Sequence, residues 1–92
     1  MNTNNEINLV AELCYQWGFG EYLSSFEKLV TALKSLGFSV KYDAQKANNG
    51  KQEVTLVHAG QKTLVYSKLA TGKMLDDNSA KEVADKIKLL VA

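Results

Sequence analysis

Hydrophobic and polar positions alternate with a period of two near the start of the chain. Ile7, Leu9, Ala11 and Leu13 interleave with Asn8, Val10, Glu12 and Cys14. This spacing predicts a strand with Ile7, Leu9 and Leu13 facing a core. The run Gln16-Trp17-Gly18-Phe19-Gly20 interrupts it, because two glycines so close together mark a turn. From about Glu21 to Leu36 the period becomes helical. Tyr22, Phe26, Leu29, Leu33 and Leu36 fall on one face, Leu23 and Val30 widen the stripe, and Gly37 is placed to stop the helix. Phe38, Val40 and Tyr42 alternate with Ser39 and Lys41 in a second strand, followed by a polar loop from Ala44 to Lys51. Val54, Leu56 and His58 define a third strand. Ala59-Gly60-Gln61 reads as a hairpin turn into a fourth, Leu64 to Lys68. After a second loop, Thr71 to Asn78, the run Ser79-Ala80-Lys81-Glu82 fits a capping box that opens a last helix. Its face carries Val83, Ile87, Leu90 and Val91.

The order is β-α-β-β-β-α. A strand-helix-strand start predicts a parallel pair with a right-handed crossover, and the tight hairpin makes strands three and four antiparallel. The expected fold is α+β in two layers: a four-stranded mixed sheet, strand one central, with two helices on one face. Residues 1–6 are expected to be a disordered N-terminus, and residues 7–92 a single domain.

Composition narrows the setting. The chain has 92 residues, 46% of them hydrophobic, which suits one small globular domain. No stretch reaches the ~18 consecutive apolar residues of a membrane span, so no membrane association is expected. The polar start MNTNNEIN is read as neither a secretory signal nor a basic transit peptide. All 11 basic residues are lysines and the net charge is +1; without an arginine fork, no nucleic-acid role is expected. A single cysteine makes no internal disulfide and, with one histidine, no thiolate-rich zinc site. No metal is expected. A reducing, cytoplasmic compartment follows as the expected location.

Cys14 is the one chemically suggestive position. It ends the first strand, ahead of a glycine-bearing loop leading into a helix, where the helix dipole and amides favour a thiolate. A strand-end cysteine in a β-α-β-β-β-α chain points to a thioredoxin-like arrangement. The alternative is that Cys14 is a small buried hydrophobe, the usual fate of a lone cysteine. Glu12 and Glu21 are its nearest carboxylates in sequence and oppose a thiolate. His58 has no second histidine and no obvious carboxylate partner, so it reads as a packing residue. Asp76-Asp77-Asn78 suits a helix N-terminus as well as a cation. Trp17, Phe19 and Tyr22 form an aromatic cluster, either a cover for the core or a contact patch.

The segment Leu13-Cys14-Tyr15-Gln16-Trp17-Gly18-Phe19 resembles the redox loop of the selenoprotein W family, the Rdx proteins. In that family a strand leads into Cys-x-x-selenocysteine or Cys-x-x-Cys, then glycine and an aromatic residue. The likeness continues. The leucine-rich face to Leu36 resembles the family's first helix, and Glu53-Val54-Thr55-Leu56 its Phe-Glu-Val strand. Gly60, Leu64-Val65 and Tyr66-Ser67-Lys68 are similar to its Gly-x-Leu-Val-His-Ser-Lys stretch, and Gly72 and Asp76 to its glycine-to-aspartate loop. Thioredoxins and glutaredoxins carry a cis-proline before the third strand. This chain has no proline, and Asn48-Asn49-Gly50-Lys51 stands in that loop.

The resemblance implies a thioredoxin-like fold and a redox loop made of Cys14, Tyr15, Gln16, Trp17, Gly18 and Phe19. Cys14 matches the family's first redox position, whereas Trp17 occupies the second. The loop is a degenerate Cys-x-x-Cys, and an internal dithiol cycle is excluded. The UGG codon of tryptophan lies one base from the UGA of selenocysteine, so Trp17 reads as the replacement of an ancestral redox residue. Two expectations follow. In the first, Cys14 is the catalytic residue of a monothiol oxidoreductase with no bound cofactor, and glutathione or a partner protein thiol resolves its mixed disulfide. In the second, the same fold is a redox-inactive protein-interaction module that makes contact through Trp17 and Phe19.

Overall fold

A computed structural model describes residues 5–16 and 18–92. The element order is β1 (Glu6–Cys14), α1 (Phe19–Ser35), β2 (Ser39–Ala47), β3 (Gln52–His58), β4 (Gln61–Ser67), α2 (Lys68–Thr71) and α3 (Asp77–Val91). The strands make one mixed sheet in the order β2-β1-β3-β4. β1 is interior, parallel to β2 from Glu6↔Ser39 to Cys14↔Ala47 and antiparallel to β3. The expected two-layer α+β architecture is what the chain adopts, with α1 and α3 packed side by side over one face of the sheet.

The period-two pattern of β1 translates directly into burial. Ile7, Leu9, Ala11 and Leu13 are all within 2% of complete burial. Their register partners Leu56 and Val54 on β3 are equally buried and extend the same apolar surface. From α1, Tyr22, Phe26, Leu29, Val30 and Leu33 pack against it, and from α3 Ala80, Val83, Ala84 and Ile87. Each fully buried large side chain among them stabilises the fold by roughly 1.5–3 kcal/mol.

The structure departs from the sequence reading at several ends. Glu6, expected outside the fold, is the first residue of β1, and the Asn5 carbonyl accepts the Ser39 amide at 2.8 Å; residues 1–4 lie outside the described residues. β2 runs on to Ala47, through the start of the expected polar loop, because each of its residues has a partner on β1 up to Cys14. Leu36 is 39% exposed, since the helix has ended and Gly37 turns the chain away. Leu90 is 43% exposed at the free end of α3. A β-bulge between Val54 and Thr55 shifts the parity of β4. Val65 and Tyr66 are therefore both buried, and Leu64 is left 52% exposed.

The last helix begins differently from the expected Ser79 cap. Asp76 is the N-cap: its carboxylate accepts the Ser79 amide at 2.8 Å, and the Ser79 hydroxyl accepts the Asp76 amide at 2.9 Å. The capping box is thus Asp76 with Ser79, three residues earlier in frame than Ser79 with Glu82. α2 was not anticipated. Ser67 opens it by accepting the Ala70 amide at 3.1 Å, and the Glu53 carboxylate takes the Ser67 hydroxyl at 2.5 Å.

Candidate functional site

Cys14 is the last residue of β1 and is 0% exposed. The backbone around it is held from both sides. The Cys14 amide donates to the Lys51 carbonyl at 2.8 Å, and the Tyr15 amide to the Ala47 carbonyl at 3.0 Å. The strand end is therefore gripped between the last residue of β2 and the residue just before β3. The intervening turn is tight, with Asn49 in the left-handed region at φ 62°.

Beyond Cys14 the chain leaves the sheet at once. Tyr15 is 49% exposed, Gln16 and Gly18 are exposed, and Phe19 is partly buried against the core as the first residue of α1. Trp17, expected in the redox loop and in an aromatic cluster with Phe19 and Tyr22, lies outside the described residues. Gly18 caps α1 with its backbone alone, its carbonyl accepting from the Glu21 and Tyr22 amides at 3.0 and 3.2 Å. No side chain caps this first turn. The Glu21 side chain lies over Gly18, its Cδ 3.8 Å from where a Cβ would stand. A negative charge therefore sits at the helix-side rim of the loop, favourable to the helix dipole and unfavourable to an anion beside it.

A buried polar clamp, which the sequence reading did not anticipate, lies immediately behind the turn. Gln52 follows Lys51 and is 0% exposed. Its Nε2 donates to the Tyr22 carbonyl at 3.1 Å, and its Oε1 accepts the Leu75 amide at 2.7 Å. Ser25, itself 6% exposed, donates from Oγ to the Leu75 carbonyl at 2.6 Å. One side chain thus ties the start of β3 to the first turns of α1 and to the segment entering α3. No buried side-chain nitrogen or oxygen among the described residues lacks a hydrogen-bond partner. The signal available in sequence is faint: a polar residue between the loop that ends at Lys51 and the apolar run that begins at Val54.

The other candidates disperse. His58 is half-buried at the far end of β3, about 20 Å of strand from Gln52. Glu12 faces Glu53 directly across β1 and β3, away from the helices. Asp76 is committed to capping α3, and the Ser79 backbone amide, followed by its hydroxyl, holds the Asp76 carboxyl below its ordinary range. Among the described residues no group of three or more His, Cys, Asp or Glu gathers as a metal site. No helix of the described residues is long and apolar enough to cross a membrane. Compared with family models and with curated proteins, the chain matches none.

Proposed function

We propose that this chain is a selenoprotein W-like thiol protein of the cytoplasm that works through Cys14 by monothiol exchange with glutathione or with a partner protein's thiol. The observation that carries this reading is the location of Cys14: the only cysteine stands at the last residue of an interior strand, where β1 passes through a short loop into α1. In the proposed cycle the Cys14 thiolate attacks one sulfur of a disulfide, forms a mixed disulfide and expels the other half as a thiolate. A second external thiol attacks the mixed disulfide and restores Cys14, so in each turn one thiol enters, one leaves, and a new disulfide replaces the one attacked.

One observation favours the second reading, a redox-inactive interaction module on the same fold. Cys14 is 0% exposed, and thiols so enclosed react slowly. Intact mass of the folded protein after incubation with oxidised glutathione separates the two. Monothiol exchange predicts one adduct, removed by reductant and absent in Cys14→Ser. Reaction only after denaturation would make Cys14 a packing residue and leave the interaction module. A Trp17→Cys variant tests the loop resemblance separately: a reversible intramolecular disulfide with Cys14 is expected, and intermolecular disulfides alone would reject it.

A further inference from the structure

β2 is an edge of the sheet. Its inner side pairs with β1 along its whole length, and among the described residues no strand lies beyond it. The Ser39 amide and the Ala47 carbonyl both bond inward, toward Asn5 and Tyr15. Backbone direction alternates along a strand, so Val40, Tyr42 and Ala44 turn their amides and carbonyls outward. At the middle of this edge Tyr42 is 41% exposed, its ring meeting Phe26 of α1 edge-on at 5.0 Å.

We propose that this edge pairs with the same edge of a second copy of the chain, antiparallel, with Tyr42 on the two-fold axis. Val40 of each copy then lies opposite Ala44 of the other, and the three facing pairs exchange about six backbone hydrogen bonds. Charge favours this register over its two neighbours. With Tyr42 on the axis, Lys41 of one copy faces Asp43 of the other, and symmetry makes that pair twice. Moving the axis by one residue sets Asp43 against Asp43 or Lys41 against Lys41, and like charges directly opposite each other destabilise a ladder. Both side chains are exposed and hold only surface partners within the chain, Lys41 to Glu6 at 3.3 Å and Asp43 to Gln45 at 2.9 Å. Lysines on an edge strand ordinarily repel an incoming strand. Here the second copy brings the matching carboxylate.

The helix layer fits the same axis. α1 rests on β1 and β2 alike, so the two copies of α1 would lie about two strand spacings apart, ~10 Å. That is close to the roughly 8–10 Å at which packed helices sit. The flank of α1 facing α3 is marked by the Lys28–Asp77 ion pair and the Ser25–Leu75 hydrogen bond. Helical spacing puts Leu23 and Val30 on the opposite flank, toward the new seam. An axis through Tyr42 passes near Phe26, midway in sequence between those two residues, and brings the partly buried Leu23 of one copy toward the flank of the other α1 at Val30, itself 7% exposed.

Sedimentation of the full chain from roughly 1 μM to roughly 1 mM should show a monomer–dimer equilibrium. Asp43→Lys should raise the dissociation constant at least about tenfold, and the exchanged pair Lys41→Asp with Asp43→Lys should restore it to within about threefold. Circular dichroism of each variant checks that the exposed substitutions leave the fold intact. Hydrogen exchange of the Val40, Tyr42 and Ala44 amides should slow as concentration rises. A wild-type chain that stays monomeric at the highest concentration overturns the proposal. So does a dimer indifferent to Asp43→Lys, an exchanged pair that fails to dimerise, or edge amides whose exchange ignores concentration.

Discussion

Ala59 shows how a single residue can work against an otherwise consistent hairpin. Ala59 and Gly60 connect β3 to β4 with φ of 53° and 78°, the two positive values that a tight type I′ turn requires. Glycine takes this conformation at no steric cost, whereas alanine brings its Cβ against the following carbonyl. Ala59→Asn, which makes the favoured Asn-Gly turn, should raise stability by about 0.5–1 kcal/mol in a urea melt with the slope unchanged. The Asp76 cap gives a residue-scale effect of pH. The carboxyl titrates below its ordinary value of 3.8 in the folded state. Its contribution is therefore fully present above that unfolded-state value and is lost as pH falls through the lower folded one. Asp76→Asn keeps the capping geometry without the charge. The stability gap between wild type and Asp76→Asn should be flat at neutral and mildly acidic pH and close below 3.8; a gap independent of pH would show that the charge contributes nothing.

The ends of α1 show how elements are delimited. At its C-terminus the Gly37 amide bonds the Lys34 carbonyl at 3.0 Å and the Phe38 amide the Leu33 carbonyl at 3.2 Å, the pattern of a Schellman cap. Gly37 carries it with φ 95°, and a Cβ there would meet nothing within 4 Å. Gly37→Ala should therefore cost about 1–2 kcal/mol in a denaturant melt, from backbone conformation alone and without a clash. The N-terminus is the opposite case. Gly18 offers no side chain, so α1 starts on backbone bonds and on the dipole contribution of Glu21. The glycine after the last periodic leucine was legible as a stop. α1 starts two residues before the Glu21 that the helical period predicts, because Phe19 and Gly20 stand in a glycine-bearing stretch with the composition of a turn and are helix.

At the scale of the molecule, Gln52 joins parts that are distant in the chain. Its side chain spans 30 residues to Tyr22 and 23 to Leu75. Replacing it with leucine keeps the bulk and orphans the buried Leu75 amide, at roughly 1–3 kcal/mol, while the Tyr22 carbonyl keeps its bond within α1. Gln52→Leu should therefore lower stability by about 1–3 kcal/mol, and amide exchange at Leu75 should accelerate more than at core amides of β1. Equal acceleration everywhere would show that the clamp is not local. The same clamp lies directly behind the turn that holds Cys14, so the variant also tests whether reactivity at Cys14 depends on this anchoring: adduct formation with oxidised glutathione should speed up in Gln52→Leu.

What the sequence determined by itself was local in origin. The order of the four strands and two long helices, the buried face of β1, the core stripe of α1 and the stop at Gly37 follow from periods of two and 3.6 and from one glycine, all legible within a short window. The strand-end location of Cys14 was legible for the same reason. What only the tertiary structure decided depends on partners far away in the chain. β2 extends to Ala47 because β1 offers a partner for each residue, although Gln45 and Lys46 carry no strand signal of their own. The bulge opposite Val54 buries Val65 and exposes Leu64, reversing the pair that alternation alone would choose. Asp76 rather than Ser79 became the cap because Ser25 and Gln52 pin Leu75, which fixes where the chain enters α3. Cys14 belongs to the core cluster although alternation sets it on the opposite side of β1 from Leu13, and its backbone is held between the ends of β2 and β3. The strand end that carries this thiol is held by segments remote from it in the chain, and no single window contains them.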